Sequence, residues 1–198
     1  MDLSKFAYDG HQDAMRALLE SLDLHVPGEA GHAERVAVYS VATAFELGKE
    51  IDYLIQVRRA ASLHDIGKLE VDASIMGKMG SLTDEEFAEI KEHVCLAEEM
   101  LSHLEWMQDS MKMIRHHHER YDGQGYPEGL ARDEIPLGAR IICVAEAFDQ
   151  MVSESGWREP LTEEEAMEEL MANAGTQFDP TVVEAFRRVQ PLIQPLAV

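Results

Sequence analysis

The chain has 198 residues, 45% apolar and 28% charged, which suits one large domain with a buried core. Its formal net charge of −21 excludes a reader of the DNA or RNA backbone, which needs a footprint of Lys and Arg. A small phosphorylated ligand held through metal ions stays open, because the cations bring their own positive charge.

Apolar spacing predicts an all-helical protein. Met15, Leu18, Leu19 and Leu22 mark a first helix over residues 11–24, which Pro27-Gly28 breaks. A second is predicted over 31–47, with Val36, Ala37, Tyr39, Val41, Ala44 and Phe45 inward and Gly48 at its end. A third, over 52–64, carries His64-Asp65 at its C-terminus, and residues 69–82 read as irregular. Thr83-Asp84-Glu85-Glu86 is a capping-box signature for a helix to about 103, with Phe87, Ile90, Val94, Ala97 and Leu101 on its buried face. A helix over 106–115 leads into His116-His117-His118. Gly123, Gly125, Pro127, Gly129, Pro136 and Gly138 then impose a long loop, which in a compact domain is functional or disordered. The apolar stretch 139–152 predicts a central helix. Thr162 with Glu165, and Asp179-Pro180, start two more, ending near 172 and 189. Cys95 and Cys143 stand apart without a CxxC pair and read as reduced, buried thiols. No apolar run reaches the roughly eighteen residues of a membrane span, and the first residues lack a leader's basic and apolar regions. A cytoplasmic protein without membrane contact is expected.

The chemistry-bearing residues are His32, His64, Asp65, His93, His117, His118 and Asp149, drawn from different helices and helix ends. Imidazole with carboxylate and no thiolate suits iron or manganese, with zinc, nickel and cobalt as other candidates. Asp65 beside His64 can bridge two ions, and paired ions suit phosphoryl displacement. Lys68 is near enough to offer charge to a phosphate. Taken singly, His32, His93 or Asp149 reads more readily as structural than as catalytic. His11, His25 and His103 read as surface or packing residues, and His116 is ambiguous.

His64-Asp65-Ile66-Gly67-Lys68 followed by His117-His118-Glu119-Arg120-Tyr121-Asp122-Gly123-Gln124-Gly125-Tyr126-Pro127 resembles the HD-GYP family of HD-domain phosphohydrolases. Further matching stretches, from Gly31-His32 to Gln177-Phe178-Asp179-Pro180, extend the resemblance over roughly residues 31–187. It implies an all-α HD-domain fold with an ordered Gly/Pro-rich loop, divided as an N-terminal helical segment (1–30), the HD-GYP domain (31–190) and a tail (191–198). It also implies two transition-metal ions and hydrolysis of cyclic di-GMP to pGpG or GMP. One ion would take His32, His64, Asp65 and Asp149, and the other Asp65, His93, His117 and His118. Lys68 would neutralise a phosphate oxygen as a metal-bridging hydroxide attacks. Arg140, Trp157 and Arg158 would contact the cyclic dinucleotide, and the Gly125-Tyr126-Pro127 loop a diguanylate cyclase domain. Three-metal members carry a glutamate four residues before the first histidine. Here that position is Gly28, so two ions are expected, although Glu29 reaches the same face if its helix starts early.

The stretch after Asp149 departs from the family. Members often read Ser-Asp-Arg-Pro-Tyr-Arg-Lys-Ala, whereas Ser155 and Glu159 here replace an arginine and a lysine, and Asp72 and Met79 replace prolines in the loop after Lys68. Loss of cations weakens the grip on a dianion. Two other readings follow: a metal-binding interaction module with little turnover, and a phosphohydrolase of another nucleotide such as cyclic GMP-AMP. Restoring charge with Ser155→Arg and Glu159→Lys separates the enzyme from the module. A chain starting thirty residues before the domain has no room there for a receiver or sensor domain, so regulation is expected from a partner or a missing part.

Overall fold

The computed structural model describes residues 11–78, 80–154 and 159–193. Its helices are α1 (Gln12–His25), α2 (Glu29–Glu46), α3 (Ile51–Leu63), the short α4 (Ala73–Met76), α5 (Asp84–Lys91), α6 (His93–Leu101), α7 (Gln108–Arg115), α8 (Leu137–Val152), α9 (Glu163–Ala172) and α10 (Pro180–Val189). Among the described residues there is no strand, only an isolated bridge between Ala174 and Phe178. No described helix is long and apolar enough to cross a membrane.

The helix starts follow their capping chemistry. Thr83 and Thr162 each accept the amide of a glutamate three residues on, and each glutamate reaches back to the threonine amide. Asp179 caps α10, with Pro180 in its first turn. At the start of α2 the cap residue is Gly28, in the left-handed region at φ 97°. The capping oxygen comes instead from Asp23, whose Oδ1 accepts the Gly28 and Ala30 amides at 3.0 and 3.1 Å. This lets α2 begin at Glu29, two residues before the sequence reading placed it.

Three further expectations change. The predicted helix over 83–103 is broken at Glu92 into α5 and α6. The irregular stretch 69–82 carries the end of a 3-10 turn (Ile66–Glu70) and α4. Phe45 and Phe87, both expected inward, are 57% and 47% exposed.

The core lies where α2 packs against α3, α8 and α10, with α7 on α3 and α8. Tyr39, Phe148 and Phe186 meet there with ring centroids 5.0 to 5.6 Å apart. Each buried phenylalanine contributes about 1.5–3 kcal/mol of apolar burial, which fixes α8 against α2. Met15 and Leu22 bring α1 into the same core. The rigid scaffold leaves the ends of α2, α3, α6 and α7 and the middle of α8 to supply the site.

Candidate metal centre

His64 closes α3, Asp65 follows, and the 3-10 turn brings Lys68 back over Asp65. Gly67 is required in this turn. A Cβ there would stand 2.0 Å from the His93 carbonyl oxygen and 2.7 Å from the Ala97 amide, both backbone atoms of α6. That close approach sets His93 Nε2 3.2 Å from Asp65 Oδ1. His117 and His118 leave the C-terminus of α7, and His32 comes from the first turn of α2.

The imidazoles are oriented through Nδ1. His64, His93 and His117 donate Nδ1–H to the carbonyls of Ala61, Ile90 and Ile114 at 2.8, 2.7 and 2.6 Å. His32 donates Nδ1–H to Asp149 Oδ2 at 2.7 Å. The other nitrogens converge. Nε2 of His32, His64, His93 and His117 is buried without a hydrogen-bond partner, and so is Asp65 Oδ1. Buried polar atoms are nearly always satisfied, and a cluster of unsatisfied ones marks a place made for an ion or a water. Backbone-anchored histidines with a free second nitrogen are how proteins fix a ligand tautomer.

Two groups have metal-ligand geometry: Asp65, His93, His117 and His118, and His32, His64, Asp65 and Glu146. Within each, the ligand atoms lie within 4.8 Å of one another. Asp65 belongs to both, with Oδ2 3.1 Å from His64 Nε2. The donor set of imidazole and carboxylate fits a borderline divalent ion.

Charge in the site is arranged around Asp65. Burial pushes the His64 ring down, but the adjacent Asp65 carboxylate outweighs it and raises His64 to about 9. Burial pushes Asp65 up, and His64 and Lys68 together hold it well below the ordinary carboxylate range. Burial pushes His117 well below its usual value, aided by His118, His64 and His93, and lowers His118 as well. These shifts favour the neutral, ligating form of His117 and His118, whereas the shift of His64 favours its protonated form, so that ligation there would release a proton. Lys68 Nζ donates to Asp65 Oδ2 at 2.7 Å and Glu29 Oε1 at 3.0 Å. Glu29 thus reaches the site because α2 starts early, and its Oε2 is buried and unpaired.

Asp149 is the main departure from the expected ligand set. It stands behind His32, accepting His32 Nδ1–H and also Arg35 Nε and Nη2 at 2.7 and 3.0 Å. Its place in the ligand group is taken by Glu146, which went unnoticed in the sequence. Residues 146 and 149 are neighbours on one helix face. Arg35, one turn beyond His32, claims the later carboxylate, and the longer side chain of the earlier one reaches inward. Glu146 lies 4.0 Å from His117 Nε2 and 3.9 Å from His118 Nε2, and accepts Gln150 Nε2–H at 2.9 Å.

Arg140 also departs from its expected substrate contact. It pairs with Asp179 at 2.6 Å and Asp133 at 2.9 Å, tying α8 to the cap of α10. His116 turns away, donating Nδ1–H to the Lys112 carbonyl and facing Glu128. Ser155, Trp157, Arg158 and Met79 lie outside the described residues.

The glycine-rich loop is fastened directly onto the histidines. Glu119 is buried and accepts the amides of Glu128 and Gly129 at 2.8 and 3.0 Å. A Cβ on Gly125 would stand 2.3 Å from the Arg120 amide and 2.6 Å from the His118 carbonyl. The loop consequently lays Tyr126 flat on His118, with centroids 4.8 Å apart.

Residues 16–182 match a family model described as HD domain. The chain belongs to the HD-domain family. The HD-GYP character read from its motifs is shared with its relatives. This HD domain is 39% identical over 161 residues to a cyclic di-GMP phosphodiesterase of Thermotoga maritima, covering 80% of this chain and 44% of the relative. It is 37% identical over 172 residues to 3′3′-cGAMP-specific phosphodiesterase 3 of Vibrio cholerae, covering 87% and 37%. The chain therefore spans less than half the length of these curated relatives. Among solved structures, the cyclic GMP-AMP specific phosphodiesterase V-cGAP3 of V. cholerae matches with a TM-score of 0.70 at 22% identity, over 90% of this chain and 48% of the other. At that identity the likeness concerns the all-α HD fold.

Proposed function

We propose that this HD domain is a metal-dependent phosphodiesterase that hydrolyses cyclic di-GMP to pGpG or GMP. The observation that carries the reading is the convergence of four unpartnered, buried Nε2 atoms on a carboxylate common to two ligand groups. His32, His64, Asp65 and Glu146 would hold one ion, and Asp65, His93, His117 and His118 the other, with iron or manganese preferred. When bound, such a pair supplies Lewis acidity toward the phosphodiester and lowers the pKa of an attacking water.

The chain's own residues do the rest. Backbone carbonyls and Asp149 hold the rings still, so little reorganisation is needed when the reacting groups arrive. Lys68 keeps its charge, because Asp65 and Glu29 more than offset the effect of burial on it. It is placed to turn from those carboxylates toward a phosphate oxygen. Burial of Asp65 and His64 excludes bulk water from the centre.

A second reading, hydrolysis of 3′3′-cGAMP, is favoured by the relative named for that substrate at nearly the same identity. A diguanylate cyclase domain on the Gly125-Tyr126-Pro127 loop would meet the exposed Pro127, with Gln124 and Glu128 beside it, since Tyr126 faces His118. The test is anaerobic turnover of both dinucleotides by metal-free protein reloaded with Fe(II) or Mn(II), beside Asp65→Ala. Linear product that needs both metal and Asp65 supports the proposal. Metal-loaded protein that binds two ions and cleaves neither dinucleotide overturns it.

A further inference from the structure

The cations near the centre are almost all committed to carboxylates: Lys68 to Asp65 and Glu29, Arg35 to Asp149, Arg120 to Asp122, and Arg115 to Glu98 and Glu128. Lys91 differs. In a chain of net charge −21, its ammonium group has no carboxylate within ion-pair distance among the described residues. It lies instead 4.4 Å from the centroid of the Phe87 ring and 5.4 Å from that of Tyr126.

This position is built from several elements. Phe87 is one helical turn before Lys91 on α5, and its unexpected exposure is explained by the cation above it. The break at Glu92 puts Lys91 at the end of α5, two residues before His93. Tyr126, the second ring beside Lys91, is the one that stacks on His118. Lys91 therefore stands at the rim of the second ligand group, beside the tyrosine that stacks on His118, half-buried and without a carboxylate in ion-pair range among the described residues.

A cyclic dinucleotide carries two phosphodiesters on opposite sides of its macrocycle. When one is at the metal-capable histidines, the other lies across the ring, at the rim. We propose that Lys91 is the group that takes this second, non-scissile phosphate, and that it sets a preference for two-phosphate cyclic substrates over simple diesters. The assignment rests on the proposed phosphodiesterase reading. It offers a positive charge in a chain whose sequence puts Ser155 and Glu159 where the family pattern has an arginine and a lysine. The two rings hold the ammonium without neutralising it, so a phosphate oxygen meets a charge-assisted donor already in place.

The test compares Lys91→Met and Lys91→Arg with the wild type in the full Mn(II)-loaded chain. Two substrates are used: cyclic di-GMP, with two phosphates, and bis(p-nitrophenyl) phosphate, with one. Lys91→Met keeps the length and the contacts with the rings. It is expected to lower the ratio of kcat/KM for cyclic di-GMP to that for the simple diester by about tenfold, the loss falling on KM. Lys91→Arg should recover most of it, with metal content equal in all three proteins. An unaltered ratio in Lys91→Met overturns the assignment. So does a parallel fall for both substrates together with lost metal, which would make Lys91 a support for Tyr126 and His118. If the wild type cleaves neither cyclic di-GMP nor, put in its place, 3′3′-cGAMP, the phosphodiesterase reading itself fails, and the role of Lys91 with it.

Discussion

Glu146 and Asp149 sit one turn apart on α8, and exchanging their carboxylates for amides separates a ligand from the residue behind a ligand. Asp149→Asn leaves an acceptor for His32 Nδ1–H but removes the charge that Arg35 binds through two nitrogens. Taking one partner from a buried ion pair costs about 3–5 kcal/mol. Because the Arg35 side chain is 28% exposed, water recovers part of this, and a loss of about 2–3 kcal/mol is expected. For a chain of this size that lowers the Tm of the metal-free protein by about 5–10 °C. Metal affinity should fall only by the 10–100-fold or so typical of a group that orients a ligand. Glu146→Gln reverses the pattern. Its hydrogen bond from Gln150 can pass to the amide oxygen, and a buried charge is removed, so the metal-free Tm should hold or rise. One ion should then bind more than about 100-fold more weakly, beyond the range of an orienting group. Calorimetry of the metal-free proteins and competitive Mn(II) titration measure both quantities. If Asp149→Asn removes an ion while Glu146→Gln keeps both, the placement of these carboxylates is wrong.

Three other perturbations test how the site is held. Gly67→Ala drives a Cβ into the backbone of α6; it should cost about 1–3 kcal/mol and weaken binding of the ion that His93 would hold, and unchanged thermal melting with full metal content would refute the close-approach argument. Arg140→Met leaves Asp179 buried without its partner, so a loss of about 3 kcal/mol is expected in urea denaturation with KM unmoved; a higher KM at unchanged stability would return Arg140 to the substrate. Cys95 and Cys143 are half-buried rather than buried, yet desolvation, with Glu146 nearby, pushes the Cys143 thiol up to about 12. It should remain protonated at pH 8.5 and resist iodoacetamide until the protein unfolds, and alkylation in the native state as fast as in urea would count against it.

The parts of this protein that were legible in the sequence are those where chemistry and chain geometry coincide locally. His64-Asp65 and His117-His118 are adjacent pairs at helix ends, and the glycines after them can only form a loop. The capping boxes at Thr83 and Thr162 are likewise contained within four residues. What stayed hidden depends on a partner distant in sequence. Nothing near Glu146 or Asp149 tells which carboxylate faces the histidines; the choice is made by Arg35, more than a hundred residues earlier, once α2 packs on α8. The early start of α2, which brings Glu29 to Lys68, follows from Asp23 capping from outside the helix. Phe87 shows the same limit from the other side. Its spacing matched a buried stripe, but α5 ends at Lys91, and the ring serves the cation rather than the core. A break of one residue at Glu92 thus decides two things together. It turns His93 toward Asp65, and it leaves Lys91 at the rim, where no carboxylate of the described residues is near enough to cancel its charge.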